Sequence, residues 1–212
     1  MTDVAQPERA WPRRKVGPSK ADARYDQIYE TAARLFYEKG YAATSLQDLA
    51  NAVGLQKGSL YYYIDSKEDL LYGITDYAHT FFTDLVEQAR DEGASPAEGL
   101  RRLLHRHAKF AAEHFHVTAA FYNERGALAP ERQAVIVQTR DAYEASLRAY
   151  VKQGQEAGEF SAELDPKIAV FGILGMINWM YQWYRPGGGL TPQELADALS
   201  AQAVRSLMPE RG

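Results

Sequence analysis

The sequence of 212 residues contains no cysteine, which excludes a disulfide framework, thiol catalysis and thiolate metal ligands. No apolar run approaches the roughly 20 residues that a membrane-spanning helix requires. The first residues, MTDVAQPERAWPRRK, lack the apolar region of a secretory signal, so we expect none. The apolar–polar alternation of a half-buried strand is also missing. These absences favour an all-α, cytoplasmic protein with no membrane partner.

The positive charge is unevenly distributed, although the net charge is only −4. Between Arg9 and Arg24, six basic residues stand against one acidic residue, Asp22. We expect residues 1–19 to form a disordered basic arm. An arm of this kind suits phosphate binding or contact with a DNA minor groove, and the alternative is a solubilising tail.

Helical periodicity continues through most of the remaining chain. The patterns predict helices over residues 20–39, 45–52, 56–63, 65–91, 96–114, 117–128, 130–157, 166–184 and 191–207. Thr44 with Gln47, Ser66 with Asp69, and Thr191 with Glu194 are interpreted as capping boxes. We expect a three-helix N-terminal domain at 20–66 and a larger helical domain at 67–212.

Residues 44–63, TSLQDLANAVGLQKGSLYYY, predict a helix-turn-helix. Ala50 is small where two crossing helices must approach, and Gly54 suits the turn. Successive helical residues point about 100° apart, so the three tyrosines at 61–63 cannot all be buried in one short helix. Outward tyrosines beside Lys57 suit contacts with phosphates and thymine methyl groups. The alternative is that these tyrosines pack the helix against its neighbours.

The string from Ile28 to Leu71, which includes TAARLFYEKGYAATSLQDLANAVGLQKGSLYYYIDSKEDLL, resembles the N-terminal domain of TetR-type transcriptional regulators. The resemblance has no gap and implies a DNA-binding regulator. It implies that Thr44 and Ser45 cap the second helix and touch phosphate. It also implies that Tyr62, Tyr63 and Lys67 hold the DNA backbone. The residues implied to face bases or sugar edges are Gln47, Lys57, Gly58, Ser59 and Tyr61. Tyr61 against a thymine methyl is our preferred specific contact.

Residues 166–184 are apolar almost all round, so this helix must be buried on more than one side. Gly172 and Gly175 allow another helix to approach closely. With the helix at 191–207, the segment near 166–185 would form a four-helix bundle across a twofold axis. The resemblance likewise implies a homodimer that binds a palindromic operator. The alternative is a core helix within one chain.

The string NWMYQWYRPGGGLT at 178–191 resembles the C-terminal signature of TetR-type regulators of fatty-acid, sterol and aromatic-acid catabolism. FYNER at 121–125, followed by the region 130–143, is consistent with that subgroup, whose effectors are often acyl-CoA thioesters. The resemblance implies an acyl-CoA effector and no cofactor. Aromatic side chains suit an acyl chain or ring, and cations suit the CoA phosphates. The candidate cations are Arg101, Arg102, Arg106 and Lys109 on the helix at 96–114, with Arg125 and Arg185, and the alternative for each is a solvated surface charge. The predicted ligand-binding residues are Phe115, Phe121, Tyr122, Arg125, Asn178, Trp179, Gln182, Trp183 and Arg185.

Two other classes of site are not favoured by the residue spacing. His105 and His107 diverge by about 200° on a helix, and no carboxylate pair stands at a tetrahedral spacing, so we expect no metal site. No nucleophile or phosphate-binding loop accompanies Glu113 and Glu124, so we expect no catalytic residues and no enzyme.

The resulting hypothesis is a ligand-responsive repressor that binds a double-stranded DNA operator as a homodimer and releases it when an acyl-CoA binds. Ligand binding would displace the helix at 67–91, which links the pocket to the DNA reader. The alternatives are the same fold with a drug-like or small organic ligand, and an all-helical enzyme or lipid carrier.

Overall fold

A computed structural model describes residues 20–88 and 94–209, and every regular element within these ranges is helical. The helices in chain order are α1 (Lys20–Lys39), α2 (Leu46–Ala52), α3 (Lys57–Leu60), α4 (Lys67–Gln88), α5 (Pro96–Glu113), α6 (Phe115–Glu124), α7 (Pro130–Glu156), α8 (Pro166–Asn178), α9 (Met180–Trp183) and α10 (Pro192–Arg205). A 3₁₀ turn at Arg125–Ala127 joins α6 to α7. The predicted all-α fold is confirmed. The predicted basic arm at 1–19 lies outside the described residues.

Several helices begin where a side-chain cap is followed by proline. Asp165 accepts hydrogen bonds from the backbone N–H groups of Lys167 and Ile168, and Pro166 occupies the first turn of α8. Thr191 and Glu194 form the predicted capping box ahead of α10. Because proline has no N–H to leave unsatisfied and its φ is already helical, these sequences define helix starts locally.

The N-terminal helices share one apolar core with the helices that follow them. Ile28 and Phe36 of α1, Leu49 of α2 and Leu60 of α3 are buried together with Leu70 and Ile74 of α4. The same cluster includes Phe121 of α6 and Ile136 of α7. The core therefore extends across the predicted domain boundary at residue 66. A displacement of α4, α6 or α7 would for this reason also move α1–α3.

A second core lies among α5, α7, α8 and α10, where Leu100, Leu103, Leu147, Ile173 and Val204 are buried. Helix α10 packs along α5. None of the helices in the described ranges combines the length and the apolar character needed to cross a bilayer.

Three boundary predictions are wrong. The predicted helix at 117–128 begins at Phe115 and ends at Glu124, where the 3₁₀ turn follows. The predicted helix at 166–184 is divided at Trp179 into α8 and α9. The predicted helix at 56–63 contains only one α-helical turn, because Tyr61–Tyr63 continue as turns.

Candidate DNA-binding face and ligand cavity

The turn between α2 and α3 has the geometry of a helix-turn-helix. Gly54 has φ of 65°, a left-handed conformation that favours glycine. The N–H of Leu55 donates to the carbonyl of Ala50 at 2.8 Å, which closes the turn against α2. Ala50, Val53 and Leu60 are buried, so one side of both helices is fixed in the core.

The other side of this unit presents polar and aromatic side chains to solvent. Tyr61 is 48% exposed and Tyr62 is 68% exposed, whereas Tyr63 is partly buried and packs against the core. The other exposed residues among those predicted to touch DNA are Ser45, Gln47, Lys57, Gly58 and Ser59. Exposure makes these residues available to a duplex, and their individual contacts stay a prediction.

Thr44 does not cap α2, and the prediction that it does is wrong. The N-cap is Ser45, which forms a capping box with Asp48 rather than Thr44 with Gln47. Thr44 is only 2% exposed. Its hydroxyl donates to the carbonyl of Gly40 at 2.9 Å, and its N–H is bonded to the same carbonyl. Both donors of Thr44 are already bonded inside the protein, and those of Ser45 are bonded to Asp48, so the phosphate contacts of the two residues stay a prediction.

Lys67 is held by the protein itself. Its ammonium group donates to the carbonyl of Tyr41 at 2.9 Å and to that of Thr44 at 3.0 Å. It also lies 4.2 Å from the centre of the Tyr41 ring. Two of its three N–H donors therefore join the first turn of α4 to the segment before α2, and one is left for a DNA phosphate.

A cavity of about 370 Å³ lies among α4–α8, a volume within the range of small-ligand sites. Its lining includes four of the predicted ligand-binding residues, Phe121, Tyr122, Arg125 and Asn178. The lining residues that sequence reasoning did not assign to the ligand are Phe82, His107, Ile136, Thr139, Arg140, Tyr143, Glu144, Phe171 and Leu174. These come from helices far apart in the sequence, and only the apolar periodicity of Phe171 and Leu174 gave a signal.

Two arginines lie where this cavity meets a smaller hollow of about 310 Å³. Arg125 and Arg140 line both spaces, together with Tyr122 and Ile136. Arg140 is shared between Asp141 at 3.0 Å and Glu144 at 3.6 Å. Arg125 forms no ion pair with any described residue. The cavity thus joins an aromatic interior to a cationic end.

The other five predicted ligand residues do not line this cavity, and their contacts with a ligand stay a prediction. Phe115 is buried beside Met180 and Tyr184 in a small separate core. Trp179 and Trp183 are 60% and 48% exposed. At helical spacing they continue the exposed side of α8 that carries Ile168 and Phe171. Gln182 and Arg185 are exposed as well, and Arg185 donates to the backbone carbonyl of Gln182.

The outward face of α8 is apolar and is not covered by any part of the chain within residues 20–88 and 94–209. Ile168 and Phe171 are exposed together with Trp179 and Trp183. A Cβ atom added at Gly172 or Gly175 would meet nothing within 4 Å among the described residues. An exposed apolar patch of this kind marks an interaction surface.

A polar junction links α4 to the corner between α6 and α7. Arg132 of α7 bonds Asp69 and lies 3.4 Å from Glu68, both in the first turn of α4. Glu68 also accepts from the N–H of Ala129 at 3.1 Å. From the same corner, Glu124 accepts from the N–H of Tyr41 at 3.1 Å. Because Arg125 follows Glu124 directly, the cationic end of the cavity adjoins contacts to the DNA-binding unit.

The fold and these two sites define a helix-turn-helix regulator with a ligand-sized cavity. Residues 28–73 match the family described as bacterial regulatory proteins, tetR family, and residues 93–207 match the tetracyclin repressor-like C-terminal domain. The chain belongs to the TetR family of transcriptional regulators. It is a DNA-binding transcriptional repressor and not an enzyme.

Three relatives illustrate the similarity. The HTH-type transcriptional repressor KstR2 of Mycobacterium tuberculosis is 32% identical over 199 residues, which cover 90% of this chain and 96% of KstR2. The crystal structure of the TetR-family regulator PfmR from Thermus thermophilus is 40% identical, with a TM-score of 0.77 and coverage of 87% and 99% of the two chains. The structure of AibR in complex with isovaleryl coenzyme A and operator DNA is 31% identical, with a TM-score of 0.72 and coverage of 84% and 97%.

Proposed function

We propose that this repressor acts as a homodimer, binds an acyl-CoA or related CoA thioester, and releases its palindromic operator when that effector is bound. The observation that carries the proposal is the two-part cavity, which has an aromatic interior and has Arg125 and Arg140 where its two parts meet. An acyl chain or ring suits the first part, and the phosphates of CoA suit paired guanidinium groups. The similarity to AibR, which has been crystallised with isovaleryl coenzyme A, supports the same effector class.

The polar junction supplies a route from the cavity to DNA. A thioester drawn towards Arg125 would displace the α6–α7 corner, and with it Glu124 and Arg132. These residues hold Tyr41 and the first turn of α4, so the orientation of α2 and α3 would change. A coupling of about 1–3 kcal/mol would weaken operator binding about 5- to 150-fold.

The uncovered face of α8 supports the homodimer. A second copy of this face would bury Ile168, Trp179 and Trp183 and would let two helices approach at Gly172 and Gly175. A twofold axis there would set the spacing of two DNA-reading units, which a palindromic operator requires.

The test is operator binding with and without effector, using a duplex selected from random sequence by the purified protein. Fluorescence anisotropy would be measured with CoA, a free fatty acid and acyl-CoA of several chain lengths. We expect acyl-CoA alone to weaken binding. The double variant Arg125→Ala/Arg140→Ala should still bind DNA but lose the response, whereas Arg101→Ala, a surface arginine paired with Glu98, should keep it. Unchanged operator binding at saturating acyl-CoA would refute the effector assignment.

The position of Glu144 favours a second candidate function, that of a sensor of cationic drug-like compounds. Its carboxylate lines the cavity, and carboxylates select cations. However, Arg140 and Arg148 lie 3.6 Å and 3.7 Å from it, so its charge is already balanced. Release of DNA by aromatic cations and not by thioesters would establish this candidate instead.

A further inference from the structure

A buried histidine–tyrosine pair lines the main cavity and not the adjoining hollow. His107 lies on α5 and Tyr143 on α7, and Nδ1 of His107 is 3.0 Å from the hydroxyl oxygen of Tyr143. The ring of Phe82 packs against both, with centroid distances of 4.5 Å and 5.3 Å. All three residues line the main cavity and none lines the adjoining hollow. The pair therefore belongs to the apolar interior.

The hydrogen bond within this pair leaves one donor unused. A neutral imidazole carries one N–H, and a tyrosine carries one O–H. If the hydroxyl of Tyr143 donates to Nδ1, the N–H of His107 stands at Nε2. If Nδ1 carries the hydrogen and donates, the O–H of Tyr143 remains. Among residues 20–88 and 94–209 neither side chain has a further hydrogen-bond partner, so either tautomer offers one donor.

Both members of the pair are uncharged at neutral pH. Burial lowers the pKa of His107 to about 3 and raises the pKa of Tyr143 well above its ordinary value. A neutral donor in an apolar enclosure stabilises a hydroxyl or carbonyl oxygen, but it does not offset the cost of burying a carboxylate. A ligand without such an oxygen leaves the donor unpaired, and sites of that kind discriminate strongly.

We propose that His107 and Tyr143 form a specificity subsite that donates a hydrogen bond to an uncharged oxygen on the apolar part of the effector. The inference rests on the proposed function, in which the CoA phosphates lie at Arg125 and Arg140 and the acyl chain or ring lies inside. It narrows the effector from CoA thioesters in general to those with a hydroxyl or keto group on the chain or ring.

The first test uses the unmodified protein and isothermal titration calorimetry. A plain medium-chain acyl-CoA is compared with thioesters of equal length that carry one hydroxyl or keto group, moved stepwise along the chain. With the oxygen in at least one position, the thioester should bind about tenfold tighter than the plain thioester, because it gains one hydrogen bond in a site shielded from water. If the plain thioester binds and no oxygenated one binds tighter, the subsite is refuted and the proposed function stands. If no thioester binds, the proposed function fails and the inference fails with it.

The second test removes both donors with the variant His107→Leu/Tyr143→Phe. The preference for the oxygenated chain should fall to within about twofold, while affinity for the plain chain is kept. Tyr37→Phe is the matched control, because it removes a hydroxyl beside Phe115 outside the cavity. A preference that persists in the folded double variant overturns the proposal.

A third measurement avoids any risk to folding. In unmodified protein labelled with ¹⁵N-histidine, the ring nitrogens of His107 should shift with the oxygenated thioester beyond the change caused by the plain one. Identical His107 spectra with both thioesters contradict the subsite.

Discussion

Tyr61 and Tyr62 are adjacent exposed tyrosines that we expect to make different contacts with DNA. At the residue scale, Tyr61→Ala should reduce affinity for the selected operator by about tenfold and leave non-specific binding nearly unchanged, because a thymine methyl contact is lost. Tyr62→Ala should weaken specific and non-specific binding alike, since it touches backbone. Anisotropy titrations against operator and scrambled duplex measure both. Sequence preference retained in Tyr61→Ala would contradict the assignment.

Lys67 and Lys57 are expected to have different roles. Lys67 stabilises the fold, whereas Lys57 contacts DNA. Lys67→Ala removes two charge-assisted hydrogen bonds to the carbonyls of Tyr41 and Thr44, so the free energy of unfolding should fall by about 2 kcal/mol. Lys57→Ala, at an exposed site, should change stability by less than about 0.5 kcal/mol and still weaken DNA binding. Urea unfolding followed by circular dichroism distinguishes the two. Equal stability of both variants would show that the Lys67 contacts contribute nothing to the free energy of unfolding.

The start of α2 provides a prediction at the scale of the element. The hydroxyl and N–H of Ser45 both donate to the carboxylate of Asp48, at 2.6 Å and 2.9 Å, and lower the pKa of Asp48 to about 2. Because the folded pKa is below the ordinary 3.8, the cap stabilises α2 above that pH and is lost as the pH falls towards about 2. Carbonyl NMR titration of Asp48 should show this value. In Ser45→Ala it should return towards 3.8, and a normal Asp48 titration in the unmodified protein would refute the cap.

Replacing Arg132 tests whether the junction between α4 and α7 carries the effector response to the DNA-binding helices. Partial burial raises the pKa of Asp69, but hydrogen bonds from Ser66 and Arg132 outweigh it and leave this pKa below its ordinary value. Arg132→Gln removes the charged contacts to Asp69 and Glu68. Effector-induced loss of operator affinity should then decrease by about 1 kcal/mol, with effector binding retained. Arg34→Gln, which breaks an ion pair within α1, is the control. An undiminished response in Arg132→Gln would exclude the junction as the route.

The face of α8 gives a prediction for the whole molecule. Gly172→Glu should fold normally as a single chain, since a Cβ there has open space. It should nevertheless prevent dimerisation, because it puts a charge where two apolar helices meet. Analytical ultracentrifugation should show a monomer with much weaker operator affinity. Val135→Glu, at an exposed apolar residue of α7, should remain dimeric. A dimeric Gly172→Glu protein would place the interface elsewhere.

The sequence by itself determined most of the helices and the helix-turn-helix. Their signals are local, since caps such as Thr191, prolines such as Pro166 and the turn at Gly54 act within a few residues. Even so, Thr44 and Ser45 are both cap-forming residues, and only packing decided between them. Thr44 is buried beneath the end of α1, so Ser45 became the cap.

Only the tertiary structure decided which aromatic residues face the cavity. Periodicity shows that a helix has an apolar side, but it does not show what covers that side. Trp179 and Trp183 are exposed and do not line the cavity, while Phe82, His107 and Tyr143 meet there from α4, α5 and α7. A cavity assembled from helices remote in sequence depends on long-range packing, so local patterns identified only part of its lining, such as Phe121 and Tyr122.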